Sequence, residues 1–245
     1  MKKLFIGIIF ILTVFTCITG CGVSSSNESG SSDGYISFGN DKILDAYEEK
    51  ELQDGITYKA VERVDDGDLH VSIIVYNNTD EAVSVSGIVK GYLNGERTNQ
   101  SSQVSFDLVL AHSSSVLSFW LFSADSYEIS NLEASSTDDP ITKDTYSFEN
   151  YKIDDEYDST KLKMYFKFNS TGENTTEVTV LGFKEGKLVG ESSSYINYVD
   201  ENLELDYDKE ITNSGEMGMA EIDYFSDGLA QADKLIYFIS GFYAD

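Results

Sequence analysis

The 245-residue chain carries 43 acidic against 17 basic side chains, a formal charge of −26. That balance excludes nucleic acid as a partner, because phosphate binding depends on Lys and Arg displacing condensed counterions. With two histidines and two cysteines, there is little from which to build a zinc centre, which needs three or four converging ligands.

Met1-Lys2-Lys3 forms a short positive start, and Leu4 to Ile18 is apolar apart from Gly7, Thr13 and Thr16. The run has the length of a signal-peptide core and falls short of the roughly 20 residues of a membrane-spanning helix. Ile18-Thr19-Gly20-Cys21 follows at once. This tetrapeptide resembles the lipobox of bacterial membrane lipoproteins, with isoleucine where leucine is commoner. The resemblance implies a diacylglyceryl group on Cys21, removal of residues 1–20 as a lipoprotein signal peptide, and tethering at the extracytoplasmic face of the cell membrane. A plain secretory cleavage near Gly20 and an uncleaved anchor are the alternatives. Two acyl chains, at about 0.8 kcal/mol per buried methylene, hold where one binds only reversibly.

Residues 21–34 follow as the lipidated cysteine and a flexible Ser/Gly tether with almost nothing to bury. Such a chain has a root-mean-square span of roughly 20 Å. Cleavage would remove Lys2 and Lys3 but no acids, leaving 15 basic and 43 acidic residues and a charge near −28. Such acidity favours solubility and mutual repulsion at a crowded surface and opposes the body lying on an anionic membrane. With Cys17 removed and Cys21 acylated, neither a disulfide nor a Cys-ligated metal can form, so stability must come from apolar cores.

Residues 40–54 are ambiguous: Ile43, Leu44 and Tyr47 suit one face of a short helix, or a cover for an open sandwich end. Period-2 alternation then dominates. Leu69, Val71, Ile73 and Val75 alternate with His70, Ser72 and Ile74, and Leu162, Met164, Phe166 and Phe168 alternate with Lys161, Lys163, Tyr165 and Lys167. Both runs read as strands with one face on a core.

A shift of 91 residues superimposes the two runs, placing Val71 on Leu162, Asn78 on Asn169, Val89 on Val180 and Gly91 on Gly182. Asn94-Gly95 falls on Glu185-Gly186, both suited to tight hairpin turns, and Ser101-Ser102 falls on Ser192-Ser193. Only six of 36 positions are identical, but core faces, turns and glycines stay in register, as in an internal duplication. Ile129-Ser130 and Ile239-Ser240 are candidate equivalent closing strands, the second unit holding an excursion of roughly 18 more residues and a short helix at 227–234.

Six or seven short strands per roughly 100 residues is an immunoglobulin-like pattern. The expected fold is all-β, with two tandem immunoglobulin-like β-sandwiches over 35–135 and 148–245. The linker over 136–147 contains Pro140, the only proline. The order strand, Asn-rich turn, strand, x-Gly turn, Ser-rich strand resembles the small sandwich modules of Gram-positive lipoproteins, FxLYD-type extracellular domains in particular. It covers about 36 residues of each unit. Gly91-Tyr92-Leu93-Asn94 and Gly182-Phe183-Lys184-Glu185 depart from the name-giving motif, and the resemblance implies a fold without lending an activity.

Candidate chemistry is sparse. His70 is expected to point outward from a strand and His112 to sit in a polar turn. No Gly-x-Ser-x-Gly elbow or Gly-rich phosphate loop accompanies them. Asp65-Asp66-Gly67-Asp68 and Asp154-Asp155-Glu156-Tyr157-Asp158 precede matching strands as solvated turns, with calcium the alternative. Trp120, between Phe119 and Leu121-Phe122, reads as core, with a sugar-stacking platform the alternative. The expectation is therefore a membrane-anchored, non-catalytic interaction or accessory module. It has no catalytic set, metal ligands or cofactor, and its partners are the membrane, through Cys21, and an envelope protein or glycan. A glycan- or calcium-binding module and, further off, a carboxylate-dependent hydrolase are the rival readings.

Overall fold

The strand phases set by the alternating apolar residues are realised as stacked antiparallel sheets. The computed structural model describes residues 37–38, 41–137, 146–156, 159–169, 172–173, 176–206, 208–209, 211–224 and 228–240. The lipobox residues Ile18, Thr19, Gly20 and Cys21, the tether and most of the expected linker lie outside these. The fold is all-β and built of β-sandwich sheets.

After β1 (Ser37–Phe38) and a 3-10 turn over Asp41–Ala46 come β2 (Lys50–Gln53), β3 (Ile56–Asp65), β4 (Asp68–Asn77) and β5 (Val83–Leu93). β6 (Glu96–Val109), β7 (Ser113–Leu121) and β8 (Ser126–Ser136) follow. The ladder β2-β3-β4-β7 faces the ladder β6-β5-β8. Between them lies a core that includes Val71, Ile73, Val85, Leu117, Phe119 and Leu121.

Beyond residue 145 the chain forms β9 (Tyr146–Glu156), β10 (Ser159–Phe168), β11 (Gly172–Glu173), β12 (Glu177–Lys184) and β13 (Lys187–Tyr195). β14 (Asn197–Val199), β15 (Ile211–Thr212), β16 (Met217–Asp223) and β17 (Lys234–Ile239) complete it. The ladders β14-β16-β10-β9 and β1-β17-β12-β13 enclose a second core around Leu162, Met164, Phe166, Val178, Val180 and Ile222, and β11 and β15 form a small separate ribbon. The helix expected at 227–234 is one 3-10 turn, Leu229–Gln231. It plugs this core over Gly182, where a Cβ would lie 2.9 Å from Leu229 Cδ2 and 3.0 Å from Ala232 Cβ.

The two superimposed hairpin turns share one geometry. Asn94 and Gly95 have φ of 52° and 83°, and Glu185 and Gly186 have 50° and 80°, as a two-residue turn with positive φ at both positions requires. Two expected equivalences shift by two residues. Lys90 faces Ser102 whereas Leu181 faces Glu191, so Ser101-Ser102 do not lie on Ser192-Ser193. The cause is a longer irregularity in β6 opposite Gly91. Ile129 faces Val89 and Tyr237 faces Val180, which matches Ile129 to Tyr237 rather than to Ile239.

A third core joins the two sandwiches. Val61, Ile74 and Val116 on the outer face of β3, β4 and β7 meet Leu181, Phe183, Leu188, Ile236 and Phe238, with Leu44 completing the set. Burying nine such side chains contributes on the order of 10 kcal/mol gross, enough to hold the sandwiches face to face. Residues 41–47 seal its margin. Lys59 Nζ donates to Leu44 O at 2.9 Å and the Tyr47 hydroxyl donates to Gly186 O at 2.9 Å. β1, expected in the first unit, instead pairs in parallel with β17 of the second, Ser37 against Lys234 and Phe38 against Leu235.

Candidate functional site: an exposed aromatic shelf

The outer face of the β3-β4-β7 ladder is a series of cross-strand rows. Lys59, Ile74 and Val116 form one, Val61, Ser72 and Ser118 the next, and Arg63, His70 and Trp120 the third. The second sandwich covers the first row and Val61 and Ser72 of the second, and Glu191 of β13 accepts hydrogen bonds from the Ser72 hydroxyl and from that of Ser118 at the exposed margin. The third row projects past that cover.

Trp120 is therefore 48% exposed and not core. The apolar run around it conceals an alternation whose phase is set by Leu117, Phe119 and Leu121, all pointing inward. Ser118, two residues before Trp120, already marks the other face as polar. The indole stacks on the His70 ring at 4.7 Å between centroids and 29° between planes. It also stacks on Phe122 at 5.3 Å and 23°. Phe122 is itself 42% exposed, so three near-parallel rings make a partly open shelf at the sheet end.

The β3–β4 turn fixes the indole's orientation. Trp120 Nε1 donates to Asp68 Oδ2 at 2.9 Å, and the Ser123 backbone N–H donates to Asp68 Oδ1 at 2.8 Å. The Ser123 N–H first, and the indole N–H second, hold the Asp68 carboxyl below its usual range. Arg63 donates to Asp65 Oδ2 at 2.7 Å and lies 3.4 Å from His70 Nδ1, bracing the imidazole from the far strand. The acidic turn, expected as a solvated turn with calcium the alternative, thus commits Asp68 to the indole and Asp65 to a guanidinium.

The other candidates stand apart. His112 has a φ of 53° and bonds Asp80 Oδ1 at 2.9 Å on the exposed surface. Asp154 takes Lys152 at 2.9 Å and Lys163 at 3.3 Å, and Lys152 foremost holds its carboxyl low; residues 157–158 of that cluster lie outside the described residues. Among the described residues no group of three or more His, Cys, Asp or Glu is placed to hold a metal ion. The shelf's remaining members, Arg63 and Phe122, carry no motif; strand pairing through His70 brings Arg63 to the row, and Phe122 follows Trp120 two residues on in the same segment. No protein-family model matches this chain, and no curated protein matches it.

A shelf of this kind can do two things chemically. Its rings offer flat apolar surface to the C–H faces of sugar rings or to planar groups. Its acidic margin offers hydrogen-bond acceptors to hydroxyl and amino substituents.

Proposed function

We propose that the chain is a lipoprotein tethered through Cys21 at the extracytoplasmic membrane face and acts there as a non-catalytic binding module. Its contact surface is the His70–Trp120–Phe122 shelf, and a neutral or amino-sugar polymer of the envelope is the ligand class that fits. The observation that carries this reading is the half-exposed Trp120, locked by Asp68 instead of buried. Stable folds seldom leave stacked aromatics open without a binding use. The rim of Asp65, Asp66 and Asp68, within so acidic a chain, disfavours anionic sugars.

Trp120 is the only tryptophan, so its emission reports on the shelf alone. Titrating the full chain with oligomers of N-acetylated amino sugars should shift and saturate that emission. Trp120→Phe should weaken binding measured by calorimetry while leaving thermal unfolding nearly unchanged. Emission that stays flat across millimolar sugar would overturn the ligand class. The tether has a separate test: Cys21→Ala should release the protein into the medium, and continued membrane retention would overturn the anchor.

A further inference from the structure

We propose that the outer edge of β8 is a docking site for an extended, basic segment of another polypeptide, which adds to the first sandwich as a strand. The molecule holds its own precedent. β8 and β17 are equivalent strands, each beside the equivalent β5 or β12. On β17 the outer edge is paired at Lys234 and Leu235 by β1, a segment supplied from far away in sequence. On β8 that edge has no strand partner among the described residues. The equivalent positions also differ in burial: Leu235, opposite Phe38 and inside the second core, is fully buried, whereas its counterpart Tyr127 is partly exposed.

Open edges are ordinarily blunted by Lys, Pro or short length. β8 runs for 11 residues, Ser126–Ser136, with no Lys, Arg or Pro. Its one irregularity lies at Ser130, between the Asn131–Ile88 and Ile129–Val89 pairs. Beyond it, Asn131–Ser136 keeps an unbroken register with β5, long enough for an ordinary strand's worth of main-chain pairing. A depression lined by Gln53, Ile56, Val83, Ala134 and Ser136 opens beside this stretch and would take an apolar side chain of the incoming strand. In strand addition, main-chain bonds supply affinity and such alternate pockets supply selectivity.

Charge selects the occupant. Glu128 and Glu133 lie on β8 itself, Glu62 bonds the Tyr127 hydroxyl, and Asp80 and Glu81 rim the depression. A segment alternating apolar and basic residues matches that edge. A second copy of a chain with net charge −26 does not.

The test uses the full-length lipidated protein in neutral-lipid nanodiscs and an eight-residue peptide of alternating valine and lysine. Comparators carry glutamate for lysine, or proline at two valines. The valine–lysine peptide should slow amide exchange across 126–136 by about tenfold or more, and the comparators should not. Glu133→Lys should weaken the peptide by about tenfold. Unchanged exchange at saturating peptide, or equal protection by all three peptides, would overturn the proposal. So would protection that rises with protein concentration alone, which assigns the edge to a second copy. Protection at every concentration without peptide would assign it to a segment of the same chain and overturn the proposal too.

Discussion

Asp125 and Asp233 do the same work 108 residues apart. Each backbone N–H donates to the strand before the hairpin turn, Asp125 to Tyr92 O at 2.8 Å and Asp233 to Phe183 O at 2.9 Å. Each carboxylate then accepts from the first turn residue, Asp125 from Asn94 N–H at 2.9 Å and Asp233 from Glu185 N–H at 3.4 Å. The tie fixes a turn whose residues sit at positive φ, a conformation asparagine tolerates and glutamate tolerates poorly. The Asn94 N–H holds the Asp125 carboxyl below its usual range. A depressed carboxylate adds stability that is present above its unfolded value and lost as pH falls through the folded one. Asp125→Ala should therefore lower the thermal midpoint at pH 7 and lose that difference at strongly acid pH. Asp233→Ala, with its longer bond, should lower the midpoint less.

Glu191 is the polar clasp between the sandwiches. It accepts hydrogen bonds from the Ser72 and Ser118 hydroxyls, and Ser72 is fully buried. Glu191→Ala strands a buried hydroxyl, a loss of about 1–3 kcal/mol. Denaturant titration should show that loss. Combining it with Ser72→Ala should cost less than the two single changes summed, because the second change removes the stranded group.

How much of this was legible in the chain depends on which residues carry the information. Strand faces were legible because Val71, Ile73, Leu162 and Met164 alternate with polar neighbours, and the turns because glycine follows Asn94 and Glu185. The third core left a fainter trace. Ile74 and Val116 fall on faces that alternation makes outward, and both are buried under the second sandwich; an apolar residue on a supposedly wet face is the signal for such cover. Pairing of β1 with β17 left none, since two residues, Ser37 and Phe38, do not specify a partner beyond 190 residues of intervening chain. Trp120 was obscured by its neighbours: Phe119 and Leu121 fill the core, and the run Phe119–Phe122 reads as uniformly apolar until the register with β4 separates its faces.

Asp107 is the group whose titration should most affect the fold. Burial foremost pushes its carboxyl up to about 7, against hydrogen bonds from the Ser115 hydroxyl and the Leu108 N–H, while nearby Glu177 raises it further. An unfolded aspartate loses its proton near pH 3.9. Between about pH 4 and 7 the unfolded chain has released this proton and the folded chain has not, so stability falls as pH rises through that window, by about 1.4 kcal/mol per unit at most. Asp107→Asn should stabilise the protein at pH 8 by roughly 2–4 kcal/mol, with little change at pH 4. Denaturant titrations of both chains at the two pH values check this, and an equal difference at both would assign the effect to packing.

Trp120 and Asp68 form a reporter whose direction is fixed by geometry. The carboxylate accepts from the indole at 2.9 Å and from Ser123 N–H at 2.8 Å, and those two donors keep it ionised below the usual carboxylate range. Protonation removes the charge that both bonds depend on, so the indole is freed only in strong acid. Trp120 emission should hold steady from neutral pH downward and change in a single step at a pH below that of an ordinary aspartate. Asp68→Asn should abolish the step and leave the shelf accessible to acrylamide. A step at or above pH 4 in the unsubstituted chain would mean that the indole is not tied to Asp68 in solution.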